Sequence, residues 1–513
     1  MKKLLPFFLL LPLLVRAQLP EEILRYSYYP QGGTARSLSI GGAMVGLGGD
    51  LSATFINPAG LGNYRTGEAM ISPGMFFRNN GSTYRENPSA ASRNAFGIGT
   101  LGFVFGSADP FRRNTSSAFS LAFTQQASFN NSVNYKGLNN FSSFSEQWAE
   151  EMANSGQNIN QALANPAFAY GTAPALYTYL LDTFRINGNL QLRTLPEFLL
   201  DNGQALSQEK QLDTRGGLYE LAIGYAKNQN EKFLYGFTLG IPILSYKSNS
   251  TFTERDTSSN TNNNFESFTY NDNYSSSGAG LNLKAGLIYK PSERVRLGFA
   301  LHTPSYLFSI TEKRTTTLTA NTENYNGSQT VSSNQFTNNL PGESNYSLLT
   351  PWRFMIGGSY VIREIEDVRK QKGFISADIE YITHGSSGFY SASENPTTDE
   401  LNYYKQLNRV ISGEYRGTFN FRLGGELKFN TIMTRLGAAY STDPYKDGDL
   451  KANRLQLSGG LGYRHKGIFI DLTYVHTRLN DVDFGYRLQD KANTFASLKN
   501  RTGQVVLGLG VKF

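Results

Sequence analysis

Apolar and polar residues alternate with a period of two along most of this chain. Each alternating run ends at a short turn or at a long polar segment, and the two kinds of ending take turns. Period-two alternation places every second side chain on one face of a strand. The pattern begins with Ala69 to Phe77 and Ala95 to Phe105, joined by a polar segment from Arg78 to Asn94. A turn from Gly106 to Asn114, carrying Asp109-Pro110, leads to a third strand with Phe119, Leu121 and Phe123 on one face. A long excursion follows, from about Lys136 to Arg215. The fourth and fifth runs, Tyr219 to Tyr225 and Tyr235 to Ile243, flank the turn Lys227 to Lys232. Leu281 to Tyr289 and Val295 to Leu301 flank Lys290 to Arg294, and a polar loop from about Asn249 to Ser275 precedes them. After a Thr-, Asn- and Ser-rich stretch from about Glu312 to Leu348, Trp352 to Tyr360 and Ile375 to Tyr381 flank a charged turn, Arg363 to Gln371. A polar segment from His384 to Ser412 leads to Phe419 to Phe429. The last four runs lie near Leu436–Thr442, Leu455–Tyr463, Ile468–Thr477 and Val505–Phe513.

These runs amount to fourteen strands. An even count puts both termini on one side, with short turns there and long loops opposite, as in a transmembrane β-barrel. Water is absent from a bilayer core, so only a closed sheet satisfies such backbones. The alternative is a large soluble all-β protein. Tyr225, Tyr289, Tyr360, Tyr381, Tyr440 and Tyr463 sit near strand ends, where an aromatic girdle is expected. The expected fold is therefore all-β: a 14-stranded antiparallel barrel at residues 67–513, with the excursion of about 136–215 as its largest extracellular loop.

Composition sharpens this picture. The 513 residues include 35 Phe, 30 Tyr and 51 Gly and no Cys. Disulfide and thiolate chemistry and lipoprotein anchoring are thereby excluded. No segment is apolar for the ~18 residues a membrane helix needs. Residues 1–17 read as a signal peptide: Lys2 and Lys3, an apolar run from Leu4 to Val15, and Val15-Arg16-Ala17 as the cleavage site. The net charge of +7 falls to about +4 without Lys2, Lys3 and Arg16, too little and too scattered for nucleic acid.

One stretch does not alternate. Gly32 to Tyr64 is small, apolar and glycine-broken, and it contains Asn57-Pro58-Ala59-Gly60. It is too glycine-rich for a stable helix and too apolar for a solvated tail. The run SLSIGGAMVGLGGDLSATFINPAGL, directly after the leader, resembles the N-terminal hatch of FadL-type outer-membrane transporters of hydrophobic compounds. Leu239-Gly240-Ile241-Pro242 and Leu301-His302-Thr303-Pro304 are similar to phrases of that family, and the chain ends on an aromatic residue, Phe513, like the signal read by barrel-assembly machinery. The resemblance implies a hatch at residues 18–66 with Asn57, Pro58, Ala59 and Gly60 as its gate. It also implies a Gram-negative outer-membrane location beside lipopolysaccharide, and cargo such as long-chain fatty acids or hydrocarbons. A porin-like open pore would not help such cargo, because a hydrophobic solute gains little from entering water. In the family the cargo leaves through a kinked third strand. Here Thr115 to Tyr135 departs from that pattern: it holds no Gly or Pro, and its alternation weakens at Gln125-Gln126, only a faint hint of a bulge, so the lateral-exit step stays open. Some FadL-like barrels instead serve type IX secretion as protein shuttles, so secreted proteins are the alternative partner.

Candidate ligand residues come from two places. Ser143 to Glu146 has capping-box spacing, and Phe144, Trp148 and Met152 recur on one helical face. Tyr170, Leu176, Tyr177, Tyr179, Leu180 and Phe184 follow. So much exposed apolar surface needs cover. It forms either the core of a small helical subdomain or a groove that captures ligand, and the family's outer loop provides such a groove. On the polar face of the strands stand Arg353, Asp378, Glu380, Arg422, Glu426 and Asp471. Charges of both signs in a lumen brace it by pairing; alternatively Arg353 or Arg422 receives an anionic head group.

No enzyme is expected. Gly97 to Gly102 matches GxGxxG inside a strand with no helix after it, which rules out a dinucleotide loop. His302, His384, His465 and His476 show no metal-ligand spacing, no GxSxG elbow exists, and His384 beside Ser386 and Ser387 has no triad partner. No cofactor or metal is implied.

Overall fold

The computed structural model describes residues 22–109, 114–362 and 372–513. The proposed leader, part of the turn at Asp109-Pro110 and the charged turn Arg363 to Gln371 lie outside the described residues. Fourteen antiparallel strands form one closed barrel. In chain order they are Glu68–Tyr84, Asn87–Ala108, a third in two segments (Ser116–Ser128 and Asn131–Asn139), Leu206–Gln229, Phe233–Asp256 and Ser267–Tyr289. The seventh, eighth and ninth are also interrupted: Val295–His302 with Tyr306–Asn321, Gly342–Leu349 with Arg353–Ile362, and Gly373–Ile382 with Gly388–Ser391. Thr418–Phe429, Ile432–Ser441, Arg454–His465, Ile468–Phe484 and Phe495–Lys512 complete the wall. Each strand pairs with its sequence neighbours, and the first closes on the last with Glu68 opposite Lys512.

The outward residues form an apolar band. Phe103, Phe119, Phe237, Leu283, Ile356, Leu423, Leu461 and Leu472 are all exposed. The six girdle tyrosines also point outward. Such a band around a closed sheet is the exterior of a membrane-spanning barrel. It places the protein in an outer membrane, where such barrels reside.

Strands run farther beyond the band than alternation alone indicates. The polar segment Arg78 to Asn94 is a continued hairpin with a two-residue turn, Arg85-Glu86, both residues at positive φ. The segments near 249–275 and 312–348 are likewise mostly strand. Above the membrane both faces are wet, so polar residues pair in strands without an apolar periodicity to betray them. For the same reason the excursion occupies residues 140–205 and not 136–215. The His384 to Ser412 segment contains a 17-residue helix, Thr398–Glu414.

The N-terminal segment fills the lumen. Its short helices, Glu22–Ser27, Ala35–Ser39, Leu51–Thr54 and Pro58–Asn63, are buried almost throughout. Asn57 caps the last of these: its Oδ1 accepts the Ala59 N–H at 3.1 Å, and its Nδ2 donates to Val45 O at 2.7 Å and to Leu287 O of the sixth strand at 3.3 Å. Wall glycines make this approach feasible. A Cβ on Gly286 would overlap Asn57 Oδ1, and one on Gly437 would overlap the hatch backbone at Ile40-Gly41. Further bonds seat the hatch: Val45 N–H to Asp378 Oδ2 at 2.9 Å and Thr473 Oγ1 to Ala35 O at 2.6 Å.

Candidate functional site

Above the hatch lies a cavity of about 1020 Å³. The outer loop supplies its lid. Glu146 begins the helix Glu146–Ser155 and accepts the Ser143 N–H at 2.7 Å, half of the expected capping box. The Ser143 hydroxyl turns away to Ser145 and Glu254. The helix thereby presents Trp148 and Met152 to a cluster that includes Phe144, Phe252, Phe268 and Tyr270. Phe144 stacks on Phe252 with ring centroids 4.5 Å apart and meets Trp148 edge-on at 5.2 Å. Such ring pairs contribute roughly 0.5–1.5 kcal/mol each beyond area burial.

The candidate loop residues divide into three groups. Trp148 and Tyr170 line the cavity. Leu176 and Leu180 are buried in the loop's own core, with Phe184 packed against it. Tyr177 and Tyr179 face outward, 42% and 46% exposed. The loop thus has its own core and also forms the roof of the cavity. Glu151 lies at this roof; burial pushes its carboxyl above the usual range while it accepts the Thr172 hydroxyl.

Strand residues Tyr246, Phe252, Tyr270, Val475 and Leu479 and the N-terminal Leu24, Tyr28 and Tyr29 supply apolar lining. Three ion pairs neutralise charges in the lining. Arg25 pairs with Glu22 at 3.1 Å, Arg314 with Asp272 at 2.8 Å, and Lys210 with Asp483 at 2.6 Å. Arg78 differs. The Arg78 guanidinium donates to Ser128 O at 2.7 Å, and among the described residues it forms no ion pair and its buried Nε has no partner. Alternation assigned Arg78 to a loop, so sequence reasoning passed over it. An arginine at an inward register of a strand is the signal that could have found it.

Arg353 and Arg422 lie deeper, against the hatch. Arg422 is bonded to Glu380, and Arg353 stands 3.6 Å from the same carboxylate, donates to Ser27 O and stacks over Tyr29. Arg435 likewise joins Glu426 at 2.6 Å and Asp471 at 2.5 Å. Of the two readings of these charges, bracing describes what the structure contains. Neither Arg353 nor Arg422 is among the residues lining the large cavity. Asn57, Pro58, Ala59 and Gly60 are buried at the hatch–wall contact, below it.

The cavity reaches the wall at an unusual place. The second and third strands pair only from Thr100 opposite Thr124 to Ala108 opposite Ser116. Beyond Thr124 the third strand carries a bulge: Gln125 opposes Tyr219 and Ala127 opposes Leu218, leaving Gln126 as an extra residue. From there the third strand stays paired to the fourth and leaves the second. Side chains of the first strand hold it instead, with Arg78, Asn80 and Ser82 donating to the carbonyls of Ser128, Ser132 and Asn134. Gln125 closes the gap. A Cβ on Gly97 would meet its Oε1, which is buried and without a partner. Gln126 accepts from the Tyr29 hydroxyl of the N-terminal segment at 2.9 Å. Gly99, Gln125 and Gln126 all line the cavity.

This architecture has known counterparts. A Pseudomonas aeruginosa FadL homologue and the P. putida toluene transporter TodX each superpose with a TM-score of 0.53 at 13% identity, over 94% of this chain and 99% of theirs. The chain has the FadL-type fold. The Ralstonia pickettii toluene transporter TbuX matches at a TM-score of 0.51 and 15% identity, over 95% of this chain and all of its own. No family model and no curated protein sequence matches. TodX and TbuX are toluene transporters. The likeness spans nearly the whole of each chain and is one of fold.

Proposed function

We propose that this barrel carries hydrophobic compounds, long-chain fatty acids or hydrocarbons, from the cell surface into the outer membrane. The observation that carries this reading is the cavity of about 1020 Å³ ending where the second and third strands lack ladder hydrogen bonds. An unpaired strand edge at membrane depth is costly unless protein covers it or it lines a cavity. Here the edge begins at Gly99, beside the outward Phe96, within the apolar band. Cargo enters under the Trp148–Tyr170 roof and leaves sideways past Gln125. The required hatch movement is local: the segment Tyr28 to Gly33 shifts, breaking the Tyr29–Gln126 bond, while the Asn57–Gly60 seat stays in place. Arg78 stands beside the exit as an unpaired cation and favours cargo with a carboxylate.

Native mass spectrometry of the detergent-purified barrel tests this. Palmitate and hexadecanol both bind, palmitate more tightly. Arg78→Gln weakens palmitate by about tenfold or more, the worth of one hydrogen bond to a charged group, and leaves hexadecanol unchanged. A barrel that refuses both but retains a secreted protein refutes the transport reading in favour of the shuttle.

A further inference from the structure

A second concave surface lies outside the barrel. The helix Thr398–Glu414 runs along the outer segment of the ninth strand, Gly388–Ser391. Asn408 takes the place of a neighbouring strand: its Oδ1 accepts the Phe389 N–H at 2.8 Å and its Nδ2 donates to Phe389 O at 2.9 Å. Tyr404 and Ile411 bury themselves on the same side as Phe389. Tyr390, the next strand residue, faces the other way and is 45% exposed. Between it and the helix is a groove of about 570 Å³, with Pro396 and Leu401 as apolar lining and Lys405 and Arg409 along one side.

The height of this groove follows from the strand. Gly373–Ile382 has ten residues, the length that crosses the apolar band at barrel tilt. Tyr381 and Phe419, both outward and with ring centroids 4.9 Å apart, close the band on the loop side. The groove therefore sits just above the outer leaflet, at head-group level. Its charge is one-sided. Lys405 and Arg409 are exposed, stand one helical turn apart and form no ion pair among the described residues. Lys446 reaches the same end, its Nζ donating to Ser412 O at 2.7 Å. Of the nearby acids, Glu400 is turned to Ser391 at 2.8 Å, and Glu394, Asp399 and Asp447 do not line the groove. Like charges at this spacing destabilise a helix, and an anion between them removes that cost.

We propose that the groove binds a phosphorylated, acylated glycolipid of the outer leaflet. Its phosphate sits between Lys405 and Arg409, and its apolar part lies over Tyr390, Pro396 and Leu401. The apolar lining and the height at the lipid surface select a lipid over free phosphate. The inference rests on the barrel's place in an outer membrane and not on its cargo.

The test uses the full-length barrel in nonionic detergent, titrated with bisphosphorylated lipid A and followed by native mass spectrometry. The double variant Lys405→Gln, Arg409→Gln binds lipid A about 30-fold more weakly, as expected for two basic residues at an anionic lipid surface. Lys313→Gln, which removes an exposed charge paired with Glu343, has no effect. Removing the phosphates from lipid A weakens binding to the natural barrel equally, and millimolar inorganic phosphate does not displace it. Wild-type affinity in the double variant overturns the proposal, as does displacement by inorganic phosphate. A barrel that shows this lipid A dependence yet binds no palmitate or hexadecanol supports the groove and refutes the transport reading.

Discussion

The first strand pairs with the fourteenth from Glu68–Lys512 to Thr83–Ser497, whereas the second pairs with the third only from Ala108 to Thr100. Both seams cross the same bilayer. The closing seam keeps its ladder along its whole length in one register, interrupted only at Ser72-Pro73, as a lipid-facing wall requires. The other gives up the ladder in its outer half, replaces part of it with side-chain donors from Arg78, Asn80 and Ser82, and fills the gap with Gln125. The contrast shows that closure is relaxed between the second and third strands, and that this place adjoins the cavity. A single inserted residue, Gln126, separates the two constructions.

The seated hatch gives the contrast its rigid counterpart, and altering it has the largest expected effect. Gly437→Val drives a side chain into the backbone at Ile40-Gly41 and costs about 3 kcal/mol or more by overpacking. It exposes the hatch to trypsin and lowers the temperature at which the barrel's gel mobility shifts. An unchanged hatch would mean that the glycine wall is not what seats it. A smaller effect is expected at the roof. Trp148→Phe keeps the aromatic cluster and weakens palmitate about fivefold, the scale of one ring contact of ~1 kcal/mol. Tyr177→Ser, at an outward position, leaves the affinity unchanged. Equal losses at both positions would place capture on the outer surface of the loop and not in the cavity.

Strand number, the hatch, the girdle and the two-sided loop pattern were legible because a lipid face and a packed lumen each impose a periodicity. The bulge left a trace as well, since Gln125-Gln126 breaks the alternation where the register shifts. The strand extensions above the membrane were not legible, because polar side chains on both faces leave no period to read. Nor was the helix Thr398–Glu414, whose buried positions include a glutamate and a tyrosine as well as Ile411. Arg353 and Arg422 were recognisable as lumen residues. Their partner Glu380 was visible too, but which lumen charges pair depends on register between strands, and one sequence does not give it. Arg78 was hidden by the same polar extension that places it beside the relaxed seam.

The most direct test closes the relaxed seam. Deleting Gln126 restores simple alternation between the third and fourth strands and lets the third strand pair with the second above Thr100. The quantity to measure is the rate of palmitate transfer from solution into the bilayer of proteoliposomes, with amide exchange of Asn87 to Gly99 read on the same sample. Lateral release predicts that the deletion protects those amides, leaves palmitate binding in place and abolishes transfer. Undiminished transfer through a barrel whose second-strand amides have become protected would contradict it.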